Sequence, residues 1–400
     1  MNKKISFKEI IANHNTILAI YIIVASIVSI QLISLGANQQ FNSSYNTFYT
    51  SYNNYIIFKQ SFFHLIDNKD LYIHYPGEYF DLYKYSPSFA MFMGLLAYLP
   101  DTAGLILWNS LNAVVLFYAI RILPFANKTL SFILLFILIE LVTSMQNSQS
   151  NALMAGLLIG AFGCMNRGKP QWATLLLVIA TFIKVYGGIG FCLFLLYPGK
   201  ARFIFFAVLW TILLLVLPIC VTSPSVLLQQ YASWGNMMAA DQAASYGLSV
   251  MGWVQKWFGW SDLKEEITIT GIILFLVPFF RINMYKDKVF RLFILAFMLI
   301  WVIIFNHKAE SATFIIAISG ICIWYFAQPT TTFRTILLIT AFIMVSLSST
   351  DIFISVRDSI TDRFALKPFA CIVIWVYVFI QLVTLKQNNR RTMLINNTQL

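Results

Sequence analysis

Apolar stretches close to twenty residues long recur along the whole chain, separated by short polar segments. A helix of this length matches the hydrocarbon thickness of a bilayer. The apolar positions are continuous rather than alternating, which argues against the strands of a membrane barrel. We therefore predict an all-α, polytopic integral membrane protein in which residues 1–400 form a single transmembrane domain. The candidate spans are residues 15–35, 102–124, 129–145, 149–165, 171–184, 187–198, 202–222, 266–282, 289–306, 311–327, 333–350 and 367–385.

Two apolar segments leave the predicted number of transmembrane helices at about 11–13. Residues 86–100 form either a re-entrant segment or a full span, and residues 171–198 form either a short hairpin or one helix. We favour the re-entrant segment with the hairpin, because this scheme keeps Arg121 and the other basic loop residues in the cytoplasm. Both schemes place residues 36–85 outside as the first extracytoplasmic loop, and a second large one follows at 223–265.

The distribution of charge sets the predicted orientation. Of the 400 residues, 59% are hydrophobic and only 11% are charged, and the net charge is +11. Lysine and arginine concentrate in the cytoplasmic loops of membrane proteins. The basic residues between spans therefore indicate orientation and not nucleic-acid binding. Lys3, Lys4 and Lys8 place the N-terminus in the cytoplasm and Lys386 through Arg391 place the C-terminus there, as expected of a bacterial inner (cytoplasmic) membrane protein.

The first loop contains a dense group of acidic and aromatic side chains. Apolar residues at three- and four-residue spacing between Asn54 and Tyr72 predict a juxtamembrane helix that lies along the membrane surface. A carboxylate at a membrane interface can act as a general base or hold a divalent cation, although a single loop acid is more often simply solvated. The loop carries four carboxylates, Asp67, Asp70, Glu78 and Asp81, of which Asp70 is the first candidate base.

Three further polar motifs interrupt the apolar runs. NHKAES at 306–311 contains His307, Lys308 and Glu310, which could neutralise a phosphate and accept a proton, or form a self-contained ion pair. Lys184 must snorkel, pair or bind an anion, and the following Tyr186-Gly-Gly indicates a broken helix end. QNSQSN at 146–151 offers amides that could bind sugar hydroxyls or cap a helix. The favoured topology gathers these motifs at one membrane face.

Several common catalytic motifs are absent from the sequence. It contains no Walker loop, dinucleotide-binding glycine motif, HExxH or GxSxG. A cytoplasmic nucleotide-sugar site and ATP-driven transport are therefore not indicated. The acidic residues are too scattered to define metal ligands, so we predict neither a metal nor a cofactor.

The order of these motifs resembles the GT-C superfamily of membrane glycosyltransferases, and most of all glycosyltransferase family 87, the polyprenol-phosphate-mannose-dependent α-mannosyltransferase-like group. The resemblance runs from about residue 15 to 327. It rests on NKDLY at 68–72, YSP at 85–87 where the family tends to have Tyr-Pro-Pro, LWN at 107–109, the Gln149–Asn151 amides, Ile183-Lys184 and the late histidine turn.

One departure from the family pattern concerns the first loop. Family members typically have an aspartate at the start of the juxtamembrane helix, as the base that activates the acceptor hydroxyl. Counting back from NKDLY, this position falls on Asn53 or Asn54. A side-chain amide cannot take a proton at neutral pH. Another carboxylate must then serve as the base, or the activity is altered or lost.

The resemblance implies transfer of a hexose, expected to be mannose, from a polyprenyl-phosphate sugar to a lipid or glycan acceptor at the extracytoplasmic face. The alternatives are a non-catalytic relative that binds polyprenyl lipid, or a lipid or sugar transporter, for which two related halves would be expected. We predict the donor, the acceptor and membrane lipids as partners. The candidate catalytic residues are Asp70, Glu310 and His307, and the candidate substrate-binding residues are Asn54, Asp67, Tyr72, Asp81, Tyr85, Gln149, Asn151, Lys184, Tyr186 and Lys308.

Overall fold

Helices make up almost all of the regular structure. The computed structural model describes residues 13–36, 40–42, 47–241, 246–350 and 353–386. Within these ranges the chain forms helices and one short antiparallel hairpin, in which β1 (Gln40–Asn42) pairs with β2 (Thr47–Tyr49). The prediction of an all-α membrane protein of GT-C type is confirmed, with this hairpin as a small addition that the sequence did not indicate.

The helices fall into two groups on either side of a 3₁₀ segment at Val185–Leu196. The first group is α1 (His14–Gly36), α2 (Asn53–Ile66), α3 (Pro87–Ala97), α4 (Asp101–Arg121), α5 (Asn127–Phe136), α6 (Leu138–Gln146), α7 (Asn151–Asn166) and α8 (Pro170–Ile183). The second group is α9 (Lys200–Val216), α10 (Pro224–Asp241), α11 (Val250–Phe258), α12 (Lys264–Leu276), α13 (Lys288–Ile304), α14 (Phe314–Phe326), α15 (Thr332–Ala341), α16 (Ile354–Val356) and α17 (Leu366–Thr384).

Fewer continuous helices could span a membrane than the sequence predicts. Four helices in the described part of the chain are long and apolar enough: α1, α4, α17, and α9 with the turn that follows it. Helices α5 and α6 qualify together as a fifth, bent by 41° where they meet. The predicted number of about 11–13 is therefore too high for continuous helices. Several predicted spans instead form apolar helices of only 10–17 residues, among them α7 and α8.

The juxtamembrane helix α2 is also shorter than predicted. It ends at Ile66 and not at Tyr72, because Asn68 has a left-handed backbone with a φ angle of 56°. The amide of Lys69 then donates to the carbonyl of His64 at 2.9 Å, which closes the end of the helix. Asparagine adopts this conformation more readily than most residues. The NKDLY residues therefore follow the helix as a separate turn.

Residues 171–198 form a hairpin, as the favoured topology predicts. α8 ends at Ile183, the backbone of Lys184 is extended, and the 3₁₀ segment then runs back along α8. The two segments touch through glycines. A Cβ atom added to Gly187 would lie 2.6 Å from the backbone of Ala180, and one added to Gly190 would lie 2.4 Å from the side chain of Leu177. The chain therefore reverses at Lys184.

Residues 86–100 contain the 11-residue helix α3, which is too short to span a bilayer, and they lie beside α2. At their start, the ring of Phe58 on α2 packs against those of Tyr85 and Phe89, with centroids 4.8 and 5.3 Å apart. At their end, the ammonium of Lys59, the next residue on α2, donates to the carbonyl of Leu99 at 3.0 Å. Neighbouring residues of one short helix thus reach both ends of this segment.

The hairpin contact gives a test of the packing. We expect Gly187→Ala to lower the free energy of unfolding by about 1–3 kcal/mol, because its Cβ would meet backbone atoms that cannot move aside. Gly188→Ala is the matched control, since its Cβ would find Thr181 at an ordinary 3.6 Å. Thermal unfolding of both variants in detergent measures the difference. Equal stability of the two would contradict this packing.

Candidate functional site

The QNSQSN segment forms a sharp turn between α6 and α7. Ser148 sits in the left-handed region with a φ angle of 51°, and its carbonyl accepts a 2.9 Å hydrogen bond from the indole nitrogen of Trp108 on α4. Ser150, the residue before α7, makes no side-chain capping bond. The side-chain amides of Gln149 and Asn151 also bond elsewhere and do not cap the helix. The tryptophan of the LWN motif thus holds the turn that carries these two amides.

Two side-chain amides join the Lys184 ammonium to the Glu310 carboxylate. The Nζ atom of Lys184 donates to Oδ1 of Asn151 at 2.7 Å. Nδ2 of Asn151 donates to Oε1 of Gln149 at 2.6 Å, and Nε2 of Gln149 donates to Oε2 of Glu310 at 2.7 Å. We call Asn151 and Gln149 the amide bridge. It connects three parts of the sequence that the motif analysis treated separately.

The direction of every hydrogen bond in the amide bridge is fixed by the groups at its ends. A lysine ammonium can only donate and a carboxylate can only accept. The oxygen of Asn151 must therefore face Lys184, and the nitrogen of Gln149 must face Glu310. Lys184 does not simply snorkel, and Glu310 does not pair with Lys308 in a self-contained turn. An ordered polar chain of this kind holds its charged ends in defined positions.

Two tyrosines lie beside the amide bridge. The Lys184 ammonium is 6.0 Å from the ring centre of Tyr85 and 5.8 Å from that of Tyr186, within the range of a cation–π interaction. Burial, and then the negative charge of Glu310, raise the pKa of Tyr85, so its phenol keeps its proton. A carboxylate, a cation, amides and aromatic rings therefore meet at one place.

A second charged group surrounds Asp241 at the end of α10. One Asp241 oxygen lies 3.0 Å from the ammonium of Lys308 and 3.9 Å from that of Lys84, and Lys84 also pairs with Asp81 at 3.1 Å. We call Asp81, Lys84, Asp241 and Lys308 the Asp241 cluster. Because Lys84 precedes Tyr85 in the chain, this cluster adjoins the amide bridge. Asp241 and Lys84 were not among the predicted site residues.

His307 lies beside the Asp241 cluster and is neutral near pH 7. Burial lowers its pKa, and the positive charges of Lys264 and Lys308 lower it further, while Asp241 acts in the opposite direction. The positive charge of this turn therefore comes from Lys308. An anion bound here would favour the protonated imidazole.

The predicted base Asp70 occupies a structural position. Its Oδ1 accepts from the amide of Tyr72 at 2.9 Å, and its Oδ2 accepts from the hydroxyl of Ser233 on α10 at 3.0 Å. The phenol of Tyr72 in turn donates to the carbonyl of Tyr85 at 2.8 Å. These residues anchor the loop to α10 and to the YSP turn. Asp67 is exposed and pairs only with the exposed Lys69 among its described ion-pair partners.

Asn53 and Asn54 have different partners. The side chain of Asn53 both donates to the carbonyl and accepts from the amide of Phe80, at 2.8 and 2.9 Å. A carboxylate could make only the second of these bonds. Asn54 donates to the carbonyl of Asn147 at 2.8 Å, so it touches the turn that carries the amide bridge. Asn53 therefore holds the loop, and Asn54 borders the site.

The comparison with known families decides the class of protein. The family model for glycosyltransferase family 87 matches residues 83–350, more than half of the chain. The chain belongs to glycosyltransferase family 87. It is therefore a membrane glycosyltransferase, and the resemblance stated from the motifs is confirmed. No curated protein matches the chain.

The residues of this chain that the family 87 model matches cover only part of the site. They contain the amide bridge, Lys184, Glu310 and most of the Asp241 cluster. They begin after α2, so the match does not extend to Asn53, Asn54 or Asp70. It ends before α17, which supplies a further charged residue to this region.

A buried ion pair near the site was missed by the motif analysis. Lys367 of α17 lies 3.1 Å from Glu140 of α6, and their side chains are 2% and 0% exposed. The sequence signal was present, because both residues fall within or at the edge of an apolar run, where ionisable groups are costly. Neither belongs to a recognisable polar motif, which is why both were passed over.

The double hydrogen bond of Asn53 gives a second test. Asn53→Asp would place a carboxylate oxygen against the carbonyl of Phe80 in place of a donor. We expect a loss of about 1–3 kcal/mol in the free energy of unfolding. The exposed Asn283→Asp is a control of identical chemistry. Thermal unfolding in detergent compares the two, and an unchanged melting temperature for Asn53→Asp would rule out a holding role for Asn53.

Proposed function

We propose that this chain transfers a hexose, expected to be mannose, from a polyprenyl-phosphate sugar to a lipid or glycan hydroxyl at the extracytoplasmic face. The observation that carries this proposal is the amide bridge, which holds a carboxylate and a cation at fixed positions. Membership of family 87 supplies the glycosyltransferase class. The donor, the sugar and the acceptor are part of the proposal.

Each end of the amide bridge has a role in the proposed reaction. The acceptor hydroxyl loses its proton to Glu310 as its oxygen bonds to C1 of the sugar. The bond between C1 and the phosphate oxygen breaks, and the polyprenyl phosphate leaves with the electron pair. Lys184 stabilises the negative charge that develops on this leaving group. The Asp241 cluster contributes Lys308 and Lys84, whose ammonium groups can bind the phosphate in place of Asp241.

Glu310 is a better candidate base than Asp70. Its side chain is exposed, so an acceptor can reach it, and one of its oxygens is oriented by Gln149. Asp70 has both oxygens engaged in holding the loop to α10 and to Tyr72. The aromatic rings of Tyr85 and Tyr186 offer flat apolar faces on which a sugar ring can pack. His307 remains a predicted contact of the phosphate.

The first experiment measures sugar transfer by Glu310→Gln. With purified protein, labelled polyprenyl-phosphate mannose and a membrane-lipid extract, we expect transfer to fall about 100- to 10,000-fold, because the amide cannot accept a proton. Asp70→Asn tests the alternative base, and its rate of transfer should fall less. Glu266→Gln, at an exposed position on α12, is the control for the same chemical change. Normal insertion of each variant is checked by detergent gel filtration.

The outcomes of this experiment separate the candidate functions. Full activity of Glu310→Gln would remove Glu310 as the base. Binding of the donor by the wild-type protein without transfer would identify a non-catalytic relative. If the wild-type protein neither binds the donor nor transfers its sugar, the proposed donor is overturned.

The rate of transfer by Gln149 variants tests the contact between Gln149 and Glu310. Gln149→Glu would replace the amide that donates to Glu310 by a second carboxylate, which cannot donate when ionised and repels the first. We expect transfer to fall by on the order of 10- to 100-fold. Gln149→Met is the uncharged control and should lower the rate less. A wild-type rate for Gln149→Glu would contradict a role for this contact.

A further inference from the structure

The Glu140–Lys367 ion pair does more than join two helices. Besides Glu140, the ammonium of Lys367 donates to the hydroxyl and the carbonyl of Ser311, at 2.8 and 3.3 Å. It also lies 5.3 Å from the ring centre of Phe314. Ser311 directly follows Glu310. The cation therefore holds the backbone beside the proposed base.

Glu140, the partner of Lys367, lies on the helix that precedes Gln149, the residue that donates to Glu310. It lies in the first turn of α6, and α6 ends at Gln146, immediately before the turn that carries Gln149. The side chain of Gln149 then donates to Glu310. One buried pair thus connects both chain segments that meet at the Gln149–Glu310 hydrogen bond.

The short segment after Glu310 is fixed by hydrogen bonds to its backbone. Residues Ser311–Thr313 form a single 3₁₀ turn, and the carbonyl of Glu310 accepts from the amide and the hydroxyl of Thr313 at 2.9 and 2.7 Å. The backbone of Glu310 is thereby tied to Thr313, and that of Ser311 to Lys367. The backbone position from which the Glu310 side chain reaches Gln149 is therefore fixed.

We infer that Lys367, with Glu140, is a positioning unit that fixes the Glu310 carboxylate against the amide bridge. This inference rests on the proposed role of Glu310 as the base. Lys367 lies on α17, beyond the residues that the family 87 model matches. Among the described residues, the last helix therefore takes part in the site without touching substrate.

A purely structural pair is the competing explanation. Burying two charges is expensive, and a well-packed apolar pair is often at least as stable. In a purely structural pair, the bonds to Ser311 would serve only to satisfy the remaining N–H donors of the buried ammonium. The bond from Lys367 to the Ser311 hydroxyl can be removed separately, which distinguishes the two explanations.

Two variants test the positioning role. Ser311→Ala removes the hydroxyl that Lys367 contacts and leaves the ion pair intact. The double variant Glu140→Gln, Lys367→Met removes both charges together and avoids an unpaired buried charge. We expect each to lower kcat on the order of 10- to 100-fold, with little change in the KM for polyprenyl-phosphate mannose. Ser311→Thr, which keeps the hydroxyl, should restore most of the rate.

A control on the same helix separates positioning from loss of packing. Gln381→Met removes the 2.6 Å hydrogen bond from Trp324 to α17, at the far end of that helix from Lys367. It should lower the melting temperature without the fall in kcat. The split between kcat and KM is a second readout, because lost positioning lowers kcat with little change in KM. Ser311→Ala should show this split, and Gln381→Met should leave both values in place.

The results also distinguish this inference from the assignment of the base. If Glu310→Gln is inactive while Ser311→Ala and the double variant keep the wild-type kcat, the positioning role is overturned and the base is retained. If Glu310→Gln is fully active, the base assignment itself fails. If the double variant does not insert, the comparison of Ser311→Ala with Ser311→Thr decides, and equal rates for those two would overturn the inference.

Discussion

The hydrogen bond from Lys184 to Asn151 is the interaction on which the site depends. A lysine ammonium among apolar helices requires an acceptor, because the surroundings offer little else to compensate its charge. Asn151 supplies that acceptor and is thereby oriented. Its nitrogen then orients Gln149, and Gln149 orients Glu310. One desolvated cation thus determines the arrangement of residues from three separate parts of the chain.

The sequence predicted which residues take part in this arrangement better than it predicted the hydrogen bonds between them. Lys184, Gln149, Asn151 and Glu310 were recognisable because polar groups at membrane depth are costly and seldom accidental. Their order could not be predicted, because each amide has several possible partners until the helices pack. Asp241, Glu140 and Lys367 escaped notice because each is a single charge outside any polar motif.

Local backbone features explain most of the differences in fold. The left-handed conformation of Asn68 ends α2 early, and the 41° bend between α5 and α6 interrupts a predicted span. Hydropathy measures the length of an apolar run and not the continuity of its hydrogen bonds, so the number of continuous spans was overestimated. The hairpin at 171–198 was predictable from charge and not from hydropathy. The basic residues on both sides of it are placed in the cytoplasm, so the chain must return to the side from which it entered.

The glycine contacts of that hairpin divide its positions into two kinds. Gly187 and Gly190 touch α8 closely: a Cβ atom on the first would meet the backbone of Ala180, and one on the second would meet the side chain of Leu177. Val185, by contrast, is nearly half exposed, and Gly188 has room for a methyl group. The face of the hairpin that points away from α8 can therefore diverge in evolution while the cation stays in place. Substitutions on that face are therefore expected to leave the hydrogen bond from Lys184 to Asn151 in place.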